Sequence, residues 1–195
     1  MELVKNISEE ELVNAIIRGE ERYFSYFVTK YKDRVYNTCL GFLRNPEDAE
    51  DVAQEVFIEV HESIGQFKHQ SSLSTWLYRI ATNKSLELIR SRNRKKRFTI
   101  FSSKDVYEQE NRFAEYVHPG IQAENTERAK VLMDAIEKLN EKQRSAFVLH
   151  KIEMLNQNEI AHILETTVSG VESLLHRAKV NLRKQLNQYY QENEK

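Results

Sequence analysis

Asn156-Gln157-Asn158-Glu159-Ile160-Ala161-His162-Ile163-Leu164, then Glu165-Thr166-Thr167, then Val168-Ser169-Gly170-Val171-Glu172-Ser173-Leu174-Leu175-His176-Arg177-Ala178-Lys179 is the stretch on which the fold turns. Asn156 with Glu159 three residues on is a capping-box pattern, in which side chain and backbone satisfy each other at a helix start. It predicts a short helix through Leu164, a tight turn at 165–167, and a longer helix with Val168, Val171, Leu175, Ala178, Leu182 and Leu186 on one face. A short helix, a turn and an amphipathic helix make a helix-turn-helix plan. Ala161 falls where the two helices cross and only a small side chain fits, and Val171 where the second packs back. The outward face of the second helix presents Ser169, Gly170, Glu172, Ser173, His176, Arg177 and Lys179. In a nucleic-acid setting its N-terminal residues would meet base edges in the major groove, while Arg177, Lys179, Arg183 and Lys184 hold phosphates. The plainer reading is a helical hairpin in a small bundle. Glu165 takes a turn position where Gly or Asn adopts the left-handed backbone more easily.

Working outward, Leu132, Ala135, Ile136 and Leu139 mark a preceding helix, and Asn140 with Gln143 opens another holding Phe147 and Val148. This C-terminal domain begins near Thr126. Residues about 99 to 125, with the turn signal His118-Pro119-Gly120, carry no sustained period and read as an irregular linker. Extended at roughly 3.3 Å per residue, it would reach about 90 Å.

The N-terminal half also reads as helices. Ser8 with Glu11 is a capping box, followed by a helix with Leu12, Ile16 and Ile17 inward. A second helix carries Phe24, Phe27, Val28, Tyr31, Val35 and Cys39 and ends near Leu43. Asn45-Pro46 is a cap followed by a proline suited to the first helical position, and Glu47 and Asp48 suit the positive end of the helix dipole. Ala49, Val52, Ala53, Val56, Phe57 and Val60 then form one buried stripe. After a loop over Gly65 to Ser72, Ser72 or Ser74 caps a helix from about Thr75 to Asn93, with Leu73, Trp76, Leu77, Ile80 and Leu88 inward.

Composition agrees with an all-α chain. Of 195 residues 40% are hydrophobic and 30% charged, and only five Gly and two Pro are present, too few for a many-turned sandwich or barrel. No strand or internal repeat is legible. The lone Cys39 excludes an intrachain disulfide and a cysteine-based zinc site. No run of about eighteen apolar residues is available to span a membrane, and the N-terminus lacks the form of a signal peptide, so a cytoplasmic location without membrane insertion is expected.

Twenty-nine Lys+Arg against thirty Asp+Glu leave a formal net charge of -1, but the charges are segregated. From Glu47 to Glu62 the chain carries Glu47, Asp48, Glu50, Asp51, Glu55, Glu59 and Glu62 and no Lys or Arg. From Arg79 to Arg97 it carries Arg79, Lys84, Arg90, Arg92, Arg94, Lys95, Lys96 and Arg97 against Glu87 alone. Two different partners fit this asymmetry, a basic protein surface and a polyanion; solvated helix faces are the bland alternative. Between them the loop and helix start, Phe67 to Lys84, mix aromatics, amides and cations. That combination suits single-stranded DNA, where bases stack or hydrogen-bond and cations track phosphates. Trp76 is assigned to the core, and Arg79, Asn83 and Lys84 to contact.

These motifs carry a resemblance. Asp48-Ala49-Glu50-Asp51-Val52-Ala53-Gln54-Glu55-Val56-Phe57 resembles region 2.2 of the sigma-70 family of bacterial transcription initiation factors. Phe67 to Asn83, above all Ser74-Thr75-Trp76-Leu77-Tyr78-Arg79-Ile80-Ala81-Thr82-Asn83, resembles regions 2.3 and 2.4 of its extracytoplasmic-function (ECF) subgroup. Glu159-Ile160-Ala161 with Val171 to Lys179 resembles region 4.2. The order of the three motifs and the lack of regions 1.1 and 3 place the likeness in the ECF group.

The resemblance implies a region 2 helical bundle over 8–98, a flexible linker over 99–125 and a region 4 helix-turn-helix domain over 126–190. It implies docking of Asp48, Asp51, Gln54 and Glu55 on the β′ clamp helices of core RNA polymerase, with the β subunit also a partner. Phe67, Lys68, Ser72, Trp76, Arg79, Asn83 and Lys84 would recognise and open the minus-ten element of promoter DNA. Ser169, Gly170, Glu172, Ser173, His176, Arg177 and Lys179 would read the minus-thirty-five element. An anti-sigma factor is an implied second partner, and no metal or cofactor is implied. Where many relatives carry Thr-Val-Lys-Ser, this chain has Gly170-Val171-Glu172-Ser173, and Glu165 stands where the turn usually has Gly.

Two rivals are weaker. An enzyme finds no motif: His61-Glu62-Ser63-Ile64-Gly65 begins like a zinc-protease site but lacks its second His, and no phosphate loop or nucleophile elbow appears. A stand-alone helix-turn-helix regulator binding duplex DNA as a dimer would need its own phosphate affinity, which a near-neutral chain lacks.

Overall fold

The computed structural model describes residues 7–102 and 123–193, and among them there are eight α-helices and no strand. The chain divides into two compact units that part between Asn93 and Arg94.

In the first unit, α1 (Glu9–Ile17) starts at the expected capping box: Ser8 Oγ accepts the Glu11 N–H at 3.2 Å, and Glu11 accepts the Ser8 N–H at 3.1 Å. The Ser8 N–H, and the Ser8 hydroxyl at 2.9 Å, both donate to the Glu11 carboxyl and hold it below its ordinary range. Leu12, Val13, Ala15 and Ile16 are buried. Ile17, expected inward, is 51% exposed because it closes the last turn, where the chain leaves the core. Helix α2 (Glu21–Leu43) ends at Arg44, whose left-handed backbone (φ 57) returns its N–H to the Leu40 carbonyl. Helix α3 (Pro46–Ser63) is capped by Asn45, which accepts the Asp48 N–H at 3.0 Å. Its stripe Ala49, Val52, Ala53, Val56 and Val60 is buried in one cluster with Phe27, Tyr31, Val35 and Cys39 of α2. Phe57 is half-buried, with its ring edge-on to Phe27 at 6.0 Å.

A 3-10 turn, Ile64–Gln66, and a short loop lead to α4 (Leu73–Ser102). This helix exceeds the expected span at both ends. Ser72 provides the cap, accepting the Thr75 N–H at 3.1 Å, so the helix starts at Leu73. Beyond Asn93, Arg94-Lys95-Lys96-Arg97 contains no Gly or Pro and consists of good helix formers, so nothing stops it. Residues 99–102 and 123–125, expected in the linker, are therefore helical. The rest of the linker, with its expected turn at 118–120, lies outside the described residues.

In the second unit, α5 (Ala123–Glu137) and α6 (Glu141–Lys151) are joined by a turn in which Asn140 accepts the Gln143 N–H at 3.0 Å. Leu132, expected inward, is 38% exposed, while Ala135, Ile136 and Leu139 are buried. Helix α7 (Gln157–Ile163) has the expected capping box, with bonds of 3.0 and 2.9 Å between Asn156 and Glu159. Glu165 does take the left-handed backbone, at φ 50, and the Thr166 N–H returns to the Ala161 carbonyl. This closes α7 with a left-handed residue followed by a backward hydrogen bond. Thr167 then caps α8 (Val168–Asn193), accepting the Gly170 N–H at 3.0 Å. Val171, Leu175, Ala178 and Leu182 of α8 are buried, as is Ala161 of α7; Val168, expected on this face, is exposed in the first turn. Asn181 of α8 donates to Gln143 of α6 at 2.9 Å.

Candidate functional site

Three polar surfaces carry the residues singled out by the sequence. On α3, burying Ala49, Val52, Val56 and Val60 forces the opposite side outward, because helical neighbours recur at three and four residues. Glu47, Glu50, Asp51, Gln54, Glu55, His61 and Glu62 are exposed along it. Ile58 lies among them at 59% exposure, a large apolar side chain on a carboxylate ridge. Positions 51, 54, 55, 58 and 62 follow one stripe, so the sequence already places Ile58 on the polar side of α3. Asp48 stands apart from this ridge. Its side chain is 15% exposed, and both its oxygens are taken by the Arg92 guanidinium of α4 in a bidentate pair. That pair pushes the Arg92 guanidinium further up from its ordinary value.

The second surface is the loop before α4 and the helix behind it. Phe67 is 8% exposed, its ring 4.6 Å from His69 and 5.4 Å from Trp76. It packs at the base of the loop, where the DNA contact expected of it would have to be made by a largely buried ring. Lys68, His69, Gln70 and Ser72 are exposed, and His69 bends the loop through a left-handed backbone at φ 54. Trp76, half-buried, packs against the core. Asn83 is exposed and Arg79 half-buried. Lys84 sits a step around the helix and faces α3, with Nζ 3.6 Å from Glu59 Oε2. Trp76, Arg79, Asn83, Glu87, Arg90 and Arg94 recur at three- and four-residue spacing, so they share one stripe of α4. From Asn83 to Arg94 that stripe runs about 16 Å at 1.5 Å per residue.

The third surface is the start of α8. Ser169, Glu172, Ser173, His176, Arg177 and Lys179 are all exposed, and Arg177 Nε donates to the Ser173 carbonyl at 3.1 Å. Gly170 is half-buried instead: a Cβ there would lie 2.5 Å from Thr166 Oγ1 and 3.3 Å from Thr167 Oγ1. Gly170 is thus fitted to the turn, which leaves no room there for a side chain. On the same unit Met154 and Ile152 are exposed in the α6–α7 connection, a feature the sequence pattern did not announce.

The chemistry on offer is recognition. Among the described residues no group of three His, Cys, Asp or Glu side chains could hold a metal ion, and no helix is long and apolar enough to cross a membrane. The carboxylate ridge repels a nucleic acid and attracts a basic protein surface, while the α4 stripe does the reverse.

Comparison with known proteins matches the chain in two parts. Residues 27–95 match Sigma-70 region 2, and residues 129–182 match Sigma-70 region 4. The chain is 34% identical over 180 residues to the ECF RNA polymerase sigma factor SigW of Bacillus subtilis, covering 89% of this chain and 94% of that one. It is 32% identical over 186 residues to the RNA polymerase sigma-H factor of Pseudomonas aeruginosa, covering 91% and 93%. Two solved structures share the fold. CnrH in complex with the cytosolic domain of CnrY gives a TM-score of 0.64 at 22% identity, covering 92% of this chain and 97% of that one. The sigma factor RpoE in complex with the anti-sigma factor NepR from Bartonella quintana gives 0.61 at 19%, covering 84% and 96%.

Proposed function

The chain belongs to the extracytoplasmic-function subgroup of the sigma-70 family, and we propose from this premise that its three surfaces divide the work of promoter-specific initiation. It binds core RNA polymerase, directs it to promoters and helps open the DNA. Asp51, Gln54 and Glu55, with Ile58 among them, form the face for the β′ clamp helices; a buried apolar anchor ringed by charge is how such faces gain affinity. Asp48 serves that face from behind, fixing the start of α3 to α4. Lys68 and Ser72 in the loop, with Arg79 and Asn83 behind them, engage the minus-ten element, and Trp76 and Phe67 support the loop from beneath. Lys84 lies at the border of the two faces. Ser169, Glu172, Ser173, His176, Arg177 and Lys179 read the minus-thirty-five element, and Gly170 lets the turn close beneath them.

An anti-sigma factor is a further partner, supported by the similar folds solved in complex with the cytosolic domain of CnrY and with the anti-sigma factor NepR. The protein works in the cytoplasm as an initiation factor, without catalysis of its own. The observation that carries this reading is a carboxylate ridge and a cationic, amide-bearing stripe on neighbouring helices of one unit, within a chain that matches region 2 and region 4 in order. Run-off transcription with core polymerase tests it. Specific transcripts should appear only when the chain is added; unchanged transcription with and without it would refute the proposal.

A further inference from the structure

The first turn of α4 is held by a residue far away in sequence. The first four N–H groups of a helix have no partner within it. Ser72 takes that of Thr75. That of Leu73 is taken by Glu9 Oε1 of α1, at 2.7 Å and 64 residues distant. Glu9 is itself the first residue of α1, so its carboxylate lies at the positive ends of two helices, α1 and α4, and both favour the anion. Helix α1 also packs against the 3-10 turn Ile64–Gln66 that precedes the loop. The loop over 68–72 is therefore anchored on both sides: by buried Phe67 before it, and by buried Leu73, whose backbone Glu9 holds, after it. Lys68, His69, Gln70 and Ser72 are exposed between these anchors.

We infer that Glu9 is a positioning residue for the minus-ten loop: its bond to the Leu73 N–H fixes where α4 begins and so the height and direction at which residues 68–72 meet an extruded base. The inference rests on the promoter-opening reading above but comes from α1, which precedes the residues matching region 2. A helix start is also a natural seat for a phosphate. With a carboxylate already in that seat, the backbone of the DNA is turned away from it and the loop is left to meet bases.

Three variants test this: Glu9→Ala, Glu9→Gln, which keeps an acceptor of the same reach, and Glu10→Ala as an exposed neighbour. Three readouts are needed: amide hydrogen exchange at Leu73 in the full chain, permanganate reactivity of minus-ten thymines with the holoenzyme, and capture of core polymerase in a pull-down. Glu9→Ala should speed Leu73 exchange about tenfold and cut promoter opening about fivefold, since small misplacements of contacting groups have large effects. Capture of core polymerase should stay at its wild-type level. Glu9→Gln should restore most of the first two readouts, and Glu10→Ala should change neither of them. The inference is overturned if Leu73 exchanges as fast in the wild type as in Glu9→Ala, or if Glu9→Ala opens promoters normally. It is equally overturned if opening and capture fall together with no recovery in Glu9→Gln. Absence of initiation with the wild-type chain contradicts the proposed function instead, and the exchange result still decides whether Glu9 holds the loop.

Discussion

The loop before α4 and the turn before α8 do the same job, aiming the first residues of a helix outward, and they are held in different ways. The turn at 165–167 carries short-range bonds, Thr166 to Ala161 and Gly170 to Thr167, and follows a helix opened by a capping box between Asn156 and Glu159. The loop at 67–72 has a local cap too, Ser72 Oγ accepting the Thr75 N–H, but its end at Leu73 is also secured from a distance, by Glu9 across 64 residues. A locally held turn keeps its shape with little help from the rest of its unit. A loop held from a distance keeps its shape only while several helices stay packed, so its aim is tied to the integrity of the whole bundle. That difference suits a base-capturing element that must be aimed and a groove-reading helix that need only be presented.

The largest effect is expected where the first unit meets its partner. Exchanging Asp51 and Gln54 together for Lys should lower capture of core polymerase about tenfold or more, roughly 1.4 kcal/mol or greater, while helix content and melting stay unchanged. Equal capture in a pull-down would remove the ridge from the account. Next comes the local capping of the second unit. Asn156→Ala should cost about 1 kcal/mol in denaturant unfolding, the usual value of an N-cap. If the loss is near zero, the turn does not depend on its neighbours as described. Glu165→Gly should act in the other direction, stabilising by about 1 kcal/mol through relief of the left-handed backbone, and a melt that falls instead would contradict the strain assigned at φ 50. The smallest effect belongs to the long-range pair. A double-mutant cycle on Asp48→Asn and Arg92→Met should give a coupling of under about 1 kcal/mol, because Arg92 remains partly exposed. A value well above that would make the pair a main support of α3.

The same division decides what was legible in the sequence. Caps and turns depend on residues three or four apart, so Ser8 with Glu11, Asn45 with Pro46, Asn156 with Glu159 and the left-handed Glu165 could all be read from the chain. Helical stripes were legible for the same reason, except at the ends of helices, where Ile17 and Val168 obey the period yet face solvent, and at Leu132 within α5. The end of α4 lies nine residues beyond the expected Asn93, because no Gly or Pro interrupts the run that follows. Contacts between distant segments leave no local periodicity. The contacts of Glu9 with Leu73, Arg92 with Asp48 and Lys84 with Glu59 join residues 25 to 64 positions apart, and no local pattern in the chain announces them. The burial of Phe67 was illegible on the same ground: an aromatic in a loop looks exposed in the sequence, and only the packing places the ring of Trp76 against it.

The central claim is that the two recognition surfaces work together only under a larger partner. A nuclease footprint of one promoter fragment, taken with the chain alone, with core polymerase alone and with both, tests it most directly. Protection of the minus-thirty-five and minus-ten elements should appear only in the complete mixture, with the chain alone leaving the DNA open to cleavage because a formal net charge of -1 gives it little hold on phosphates. A clear footprint from the chain alone, unaltered when polymerase is added, would contradict the account.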